Sequence, residues 1–240
     1  MFKILNSKKQ KKRKIFIYSG AGLSAESGLK TFRDSNGLWH EHKIEDVCDY
    51  RTWFKNYELV HNFYNSRRKE LENVKPNAAH IMISKLQKEF GVDNCINVTT
   101  NVDNLLERAG VKNVIHLHGK LTELKNIETN EIINIEHEEF KIDLDNKIWK
   151  PNVVFFNEYC PEYNNLESNK FIMEDGDIVV TIGMSFVVVS AYKVFSNFIK
   201  THNININLDF ETNYGYNFDK CINKKASDGM IQLKKIIDEL

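Results

Sequence analysis

An α/β domain, with a parallel sheet covered by helices on both faces, is the fold class that three observations predict. Short, continuously apolar, β-rich runs recur along the chain, helix-like stretches separate them, and the first run leads straight into a glycine loop. Continuous rather than alternating apolar runs are how strands buried on both faces of a sheet read. Strands that alternate with helices imply crossover connections. The chain has 240 residues, the length of one large domain or of one domain carrying a smaller inserted module. Hydrophobic residues at 42% and charged residues at 28% exclude disordered, collagenous and coiled-coil readings.

The elements follow in order. A basic run at residues 8–14 reads as a solvated tail. Strands are expected at residues 15–18, 96–98, 114–117, 153–156, 178–182 and 204–208. Helices are expected at 57–71, 77–90, 102–109, 187–199 and 229–240. Residues 122–150 are polar, charged and weakly periodic, and read as an inserted module or long excursion rather than a sheet strand. No internal repeat is found, and three prolines are too few to mark a linker.

Charge and cysteines limit the partners. The 33 Lys+Arg balance 33 Asp+Glu, which argues against a nucleic-acid coat protein, since such domains are strongly basic. No apolar run approaches the roughly 18 residues of a membrane span, and no cleavable apolar core follows the basic start. Cys48, Cys95, Cys160 and Cys221 are scattered without a CxxC pair, which suits free thiols in a reducing compartment. A cytoplasmic monomer with no membrane or nucleic-acid partner is expected.

The first strand runs into Gly20-Ala21-Gly22-Leu23-Ser24-Ala25-Glu26-Ser27-Gly28. A strand, then glycines, then a helix start is the context in which a loop binds phosphate, because glycines admit the pyrophosphate close to backbone N–H groups. The third glycine is off the usual GxGxxG spacing, so the loop alone leaves nucleotide binding and a simple tight turn equally open.

The longer string GAGLSAESGLKTFRDSNGLW (residues 20–39) resembles the first motif of the sirtuins, the NAD-dependent protein deacylases. TNVDNLLERAG (100–110) is similar to the family's TQNIDxLHxRAG, and VIHLHGKL (114–121) to its HxHGxL. PNVVFFNE (151–158) resembles PxVVxFGE, IGMS (182–185) resembles IGTS, and NLD (207–209) resembles NLE. These blocks stand in family order from residue 15 to residue 226.

The resemblance implies a single catalytic domain over residues 1–240. Its Rossmann-like NAD-binding part would comprise residues 15–27, 76–119 and 151–240, with a cofactor loop and helical module at 28–75 and a small module at 120–150. It implies NAD as cofactor and acylated-lysine proteins or peptides as partners. His118 matches the family's general base on the ribose hydroxyls, a role that needs a group titrating near neutral pH. Asn101 and Asp103 match catalytic residues lining the ribose and nicotinamide pocket, although both residue types are also ordinary helix caps. Gly20, Gly22, Ser24, Glu26, Thr100 and Val102 fall in the matching cofactor blocks. Ala21, Phe32 and Arg33 match the loop over the cofactor. Gly183, Met184, Ser185, Asn207, Leu208, Asp209 and Ala226 match positions about the adenosine half. Val154 and Phe156 lie in the block on which the peptide docks.

In FYNSRRKEL (residues 63–71), Tyr64 and Arg67 are spaced i, i+3 and share a helix face. A guanidinium beside a phenol is a good receptor for a carboxylate, though an isolated Tyr-x-x-Arg would be an ordinary solvated face. Here the block resembles the acyl pocket of class III sirtuins, which remove succinyl, malonyl and glutaryl groups. GLWHEHKIEDV (37–47) and NAAH (77–80) look like bacterial members of that class, and Cys48 falls where a small residue opens the pocket.

Departures from the family are also plain. Sirtuins usually carry two CxxC pairs before the VVxFGE block, whereas residues 120–150 hold no cysteine and one histidine, His137. A four-ligand structural zinc is therefore not expected. Thr100 replaces Gln, Asn157 replaces Gly and Met184 replaces Thr. The expected activity is removal of acidic acyl groups, and of acetyl beside them, with release of nicotinamide and O-acyl-ADP-ribose. A site without an efficient peptide dock would instead hydrolyse NAD or transfer ADP-ribose. A non-catalytic NAD- or ADP-ribose-binding module is a third reading, but it would have no need of a base.

Overall fold

The computed structural model describes residues 13–29, 42–167, 173–187, 200–209, 216 and 218–240. The basic tail before residue 13, most of the expected helix at 187–199, and Phe32 and Arg33 lie outside the described residues. The chain runs β1 (Ile15–Ser19), α1 (Gly22–Ala25), α2 (Ile44–Val47), α3 (Tyr57–Asn73), α4 (Ala78–Phe90), β2 (Cys95–Thr99), α5 (Leu105–Arg108) and β3 (Val114–His116). It continues through β4 (Gly119–Asn126), β5 (Ile132–Asn134), β6 (Trp149–Val153), α6 (Glu162–Glu167), β7 (Ile178–Ile182), β8 (His202–Ile206), β9 (Lys220–Ile222) and α7 (Ala226–Glu239). No helix among the described residues is long and apolar enough to cross a membrane.

Six strands form one sheet in the order β3-β2-β1-β7-β8-β9, every pair parallel. The continuous apolar runs are explained by burial on both faces. Ile15 and Ile17 of β1 pack with α4 and α7 residues such as Ile83, Leu86, Met230 and Leu233. Phe16 and Tyr18, pointing the other way, join Val98, Leu117, Val179, Met184 and Phe186. The order reverses beside β1: the chain first builds outward to β3 and then returns to build outward through β7. In open α/β sheets, ligand crevices form outside the carboxyl ends of the strands at such a reversal.

Two expectations are corrected here. The strand expected at 153–156 lies at Trp149–Val153 and is not in the large sheet; β6 pairs antiparallel with β4. Its apolar side chains fill a separate cluster: Val153 and Phe155 are buried with Val60, Tyr64 and Leu71 of α3. Beyond β6 the backbone is engaged elsewhere, as Val154 N–H donates to His118 O at 2.9 Å and Phe156 N–H to Cys48 O at 2.9 Å. The polar segment 122–150 does contain strand: β5-β4-β6 make a three-stranded sheet of their own. That sheet takes Gly119 and residues 151–153 from flanks that the sequence assigns to the larger part.

The small sheet and its irregular return are held by polar bonds from α3. Asn65 Nδ2 donates to Phe140 O and Asn65 Oδ1 accepts from Phe140 N, both at 3.0 Å. Arg68, wholly buried, donates to Asn65 Oδ1, to Glu138 O at 3.3 Å and to Leu121 O at 3.4 Å. Burial draws its pKa down to about 10, so it remains charged at neutral pH. His61 Nε2 meets Trp149 O at 3.0 Å.

Candidate active site

The site is built on loops at the carboxyl edge of the large sheet. After β1, Gly20 N–H donates to Ile182 O at 2.9 Å and Gly22 N–H to Gly183 O at 3.1 Å. A Cβ on Gly22 would lie 2.6 Å from Gly183 Cα, so only glycine lets the loop after β1 press against the loop after β7. Gly183 itself has φ 60. The glycine pair thus ties the loops after β1 and β7 together at the order reversal. Met184 follows, buried, with its carbonyl accepting from Asn207 Nδ2 at 2.5 Å at the end of β8. Ser185 Oγ accepts from Val187 N–H at 3.5 Å. Glu26 Oε2 accepts from Ser227 N–H at 2.8 Å, beside the buried Ala226 that starts α7. Leu208 and Asp209 are exposed at the same edge.

A chain of hydrogen bonds orders the next part of the site. Asn77 caps α4: its Oδ1 accepts from Ala79 and His80 N–H, while its own N–H donates to His80 Nδ1 at 3.3 Å. That donation fixes the tautomer, so His80 Nε2 carries the proton and donates to Ser24 Oγ at 3.4 Å. Burial pulls the His80 pKa to about 4, which keeps the ring neutral. Ser24 donates to Asp103 Oδ2 at 2.8 Å and accepts from Asn101 Nδ2 at 3.2 Å. Asn101 Nδ2 also reaches Gly20 O at 3.1 Å. Asp103 Oδ1 accepts from Leu105 N–H at 3.0 Å, an Asx-type cap that shortens the helix expected at 102–109 to Leu105–Arg108. Burial pushes the Asp103 carboxyl above its usual range, partly offset by these two bonds.

His118 follows β3. Its Nδ1 lies 3.1 Å from Thr100 O and its Nε2 2.5 Å from the Tyr163 hydroxyl. A carbonyl can only accept, so Nδ1 carries the proton and Nε2 presents its lone pair. Burial lowers the His118 pKa, so the ring is neutral and basic at neutral pH. Gly119 beside it has φ 74, and a Cβ there would lie 2.0 Å from Asn152 O. Glycine is required for β4 to pass that close to β6 and carry His118 to the edge. His116 points to the other side: its Nδ1 meets Asn101 O at 2.8 Å and its Nε2 meets Glu107 Oε1 at 2.8 Å. Although burial raises it, the bond from His116 leaves the Glu107 carboxyl below its usual range.

On the β6 side, Tyr64 is buried, stacks on Phe155 at 5.6 Å and donates to Cys48 Sγ at 3.4 Å. Lys150 covers Phe155, its Nζ 3.8 Å from the ring centroid, and pairs with Glu158 Oε2 at 2.9 Å. Arg67 pairs with Glu70 at 2.6 Å, while its Nε is buried without a hydrogen-bond partner. Tyr64 and Arg67 share their helix, but their polar atoms are engaged with different partners. Val154 and Phe156 lie on the segment after β6, with Phe156 39% exposed. Asn157 adopts φ 63, a left-handed backbone that asparagine tolerates better than most residues.

His80, Glu107, Lys150 and Tyr163 are site neighbours without a role in the sequence reading. The signal for His80 is its place as the third residue after an asparagine cap. Tyr163 lies 45 positions from His118, and no local spacing points to it. Among the described residues, no group of three or more His, Cys, Asp or Glu side chains is placed to hold a metal ion.

Residues 20–190 match the Sir2 family. A protein from Helicobacter hepaticus named NAD-dependent protein deacylase is 42% identical over 194 residues, covering 73% of this chain and 76% of that one. Proteins of the same name from Campylobacter jejuni and Pasteurella multocida are 44% identical over 181 residues and 35% identical over 227 residues. The first covers 74% of this chain and 76% of its own, the second 91% and 95%. Among solved structures, a mutant Sir2 homologue in complex with ADP-ribose superposes with a TM-score of 0.77 at 29% identity, covering 94% of this chain and 92% of that one. A Sir2 homologue in complex with NAD gives a TM-score of 0.74 at 29% identity, covering 94% and 89%.

Proposed function

The chain belongs to the Sir2 family, and from that premise we propose an NAD-dependent protein-lysine deacylase that uses His118 as general base and prefers acyl groups ending in a carboxylate. One observation supports the base assignment: Thr100 O holds the proton on Nδ1, so Nε2 of a neutral ring is the basic nitrogen, hydrogen-bonded to the Tyr163 hydroxyl. The residues present fit NAD. The loops after β1 and β7 meet through Gly22 and Gly183 at the order reversal, where dinucleotide sites form in such sheets, and Asn101, Asp103 and Asn207 stand on neighbouring loops.

When bound, NAD would supply an electrophilic ribose carbon for the acyl oxygen, with nicotinamide as its leaving group. His118 takes a proton from a ribose hydroxyl through Nε2. Asn101 and Asp103, locked by Ser24, hold the nicotinamide end in one orientation, where positioning lowers the barrier. In this reading the segment from Val154 to Phe156 receives the peptide, and the acyl chain enters beside Tyr64 and Cys48, whose side chains touch at 3.4 Å. Arg67, one helical turn from Tyr64 and partly exposed beside Glu70, would offer that chain's carboxylate a charge-assisted bond. Acylated-lysine proteins of the cytoplasm are the proposed partners, met by a monomer whose four cysteines are all free.

Mass spectrometry of NAD products with succinyl-lysine peptide, acetyl-lysine peptide and no peptide tests the reading. O-succinyl-ADP-ribose in excess of O-acetyl-ADP-ribose is expected, and His118→Tyr should abolish both. Free ADP-ribose formed equally without peptide would replace the deacylase by an NAD hydrolase.

A further inference from the structure

We propose that Tyr163 is a reversible cap on His118, which occupies the basic nitrogen in the cofactor-free protein and which the ribose of NAD displaces. The proposal rests on the reading of His118 as the base that meets the ribose. The geometry behind it is direct. Tyr163 Oη lies 2.5 Å from His118 Nε2, and the two rings meet edge to face at 5.8 Å and 67°. With the Nδ1 proton committed to Thr100 O, the phenol donates and the imidazole accepts. An imidazole nitrogen has one lone pair, in the ring plane, so it accepts one good hydrogen bond. The phenol and a ribose hydroxyl therefore compete for the same atom.

Two further features suit Tyr163 to capping. Burial pushes its pKa up to about 12, so it remains a donor throughout the working pH range. Its place is set from the turn that carries the base: Cys160 Sγ donates to Leu117 O at 3.0 Å, and Tyr163 N–H donates back to Cys160 O at 3.3 Å. Cys160 thus anchors the start of α6 to the residue before His118. The cap scales apparent cofactor affinity by the fraction of molecules in which Nε2 is free.

The test is a double-mutant cycle read as Kd for NAD by calorimetry, with Tyr163→Phe, His118→Ala and the pair. Removing one hydroxyl that competes for the site should tighten NAD binding by roughly 2- to 10-fold. In the His118→Ala background the same substitution should change nothing. A gain in affinity is not what a merely structural hydroxyl yields on removal, since loss of packing or folding weakens binding. An unchanged or weaker Kd for Tyr163→Phe overturns the cap. So does an equal gain in both backgrounds, or an absence of NAD binding in both the wild type and Tyr163→Phe. Wild type that binds NAD but releases no nicotinamide with acyl-peptide sinks the deacylase reading separately, and the Kd cycle still decides the cap.

Discussion

Asn157 and Asp49 clamp the segment after β6 to the turn after α2: Asn157 Nδ2 donates to Asp49 Oδ2 at 2.9 Å while the Asn157 backbone stands at φ 63. In the sequence, Asn157 replaces a glycine of the resembled block, and glycine takes left-handed backbone more readily than asparagine. In the structure it keeps the left-handed turn and adds a bond. Asn157→Ala should lose both, with a left-handed penalty of about 1–2 kcal/mol and a fall of several degrees in Tm. Asn157→Gly should retain the turn, cost little in Tm and raise KM for peptide more than KM for NAD. Equal Tm for the two variants would mean that the backbone angle is not what matters.

Asp49 itself is gripped by Arg51, whose side chain and backbone N–H hold its carboxyl at about 2. A carboxyl depressed in the folded state stabilises above its unfolded value, about 4, and the contribution is lost as pH falls through about 2. Peptide KM should therefore show no change from this clamp between pH 7 and 5. A rise in KM within that window that disappears in Asp49→Asn would contradict it.

Arg68 and Asn65 hold the small sheet by satisfying the backbone of its irregular return. Arg68→Ala removes a wholly buried side chain and leaves Glu138 O and Leu121 O without that partner. A loss of about 3–5 kcal/mol is expected, measured by denaturant unfolding. Chelator should leave Tm and activity unchanged, and elemental analysis should find no stoichiometric zinc. Stoichiometric zinc with a Tm that falls in chelator would overturn this account.

Ser24 joins three partners, His80, Asn101 and Asp103. Ser24→Ala should raise KM for NAD by roughly tenfold, the equivalent of one net hydrogen bond near 1.4 kcal/mol, with Tm little changed. An unchanged KM would show that the loop holds Asn101 and Asp103 without it.

Which parts of the molecule are legible in the sequence follows from how local their causes are. The large sheet is legible because strands buried on both faces leave unbroken apolar runs, as at Ile15–Ser19 and Ile178–Ile182. The strand near Val153 is not, because the same apolar signal arises when Val153 and Phe155 pack against a helix. The small sheet is illegible because β5 is exposed and short and its neighbours are fixed by Asn65 and Arg68, over 50 residues away along the chain. In the site, His118, Asn101 and Asp103 stand out through their blocks. Tyr163 does not, since only the folded chain brings α6 to His118.

Arg67 supplies the remaining specificity test. Arg67→Met should lower kcat/KM for succinyl-lysine peptide by roughly 10- to 100-fold, the range of a charge-assisted bond, and leave acetyl-lysine nearly unaffected. An equal fall for both peptides would mean that Arg67 supports the helix rather than the carboxylate. Because it already pairs with Glu70, Glu70→Gln should shift preference towards the succinyl peptide by freeing the guanidinium.

Burial lowers the pKa of His118, and takes His61 and His80 to about 4. The proposed role of His118 as base requires the neutral ring, so kcat/KM for NAD should begin to fall only at a lower pH than an ordinary histidine would impose. For His61 and His80 the folded value lies below the unfolded 6.5, so the unfolded chain binds more protons as pH falls between them. Stability should therefore decline from pH 6.5 to 4, by at most about 3 kcal/mol for each ring. His80→Gln should be less stable at pH 7, where it loses the cap geometry, but should show a shallower acid decline in denaturant midpoints. A decline as steep as that of the wild type would assign the acid sensitivity to other groups.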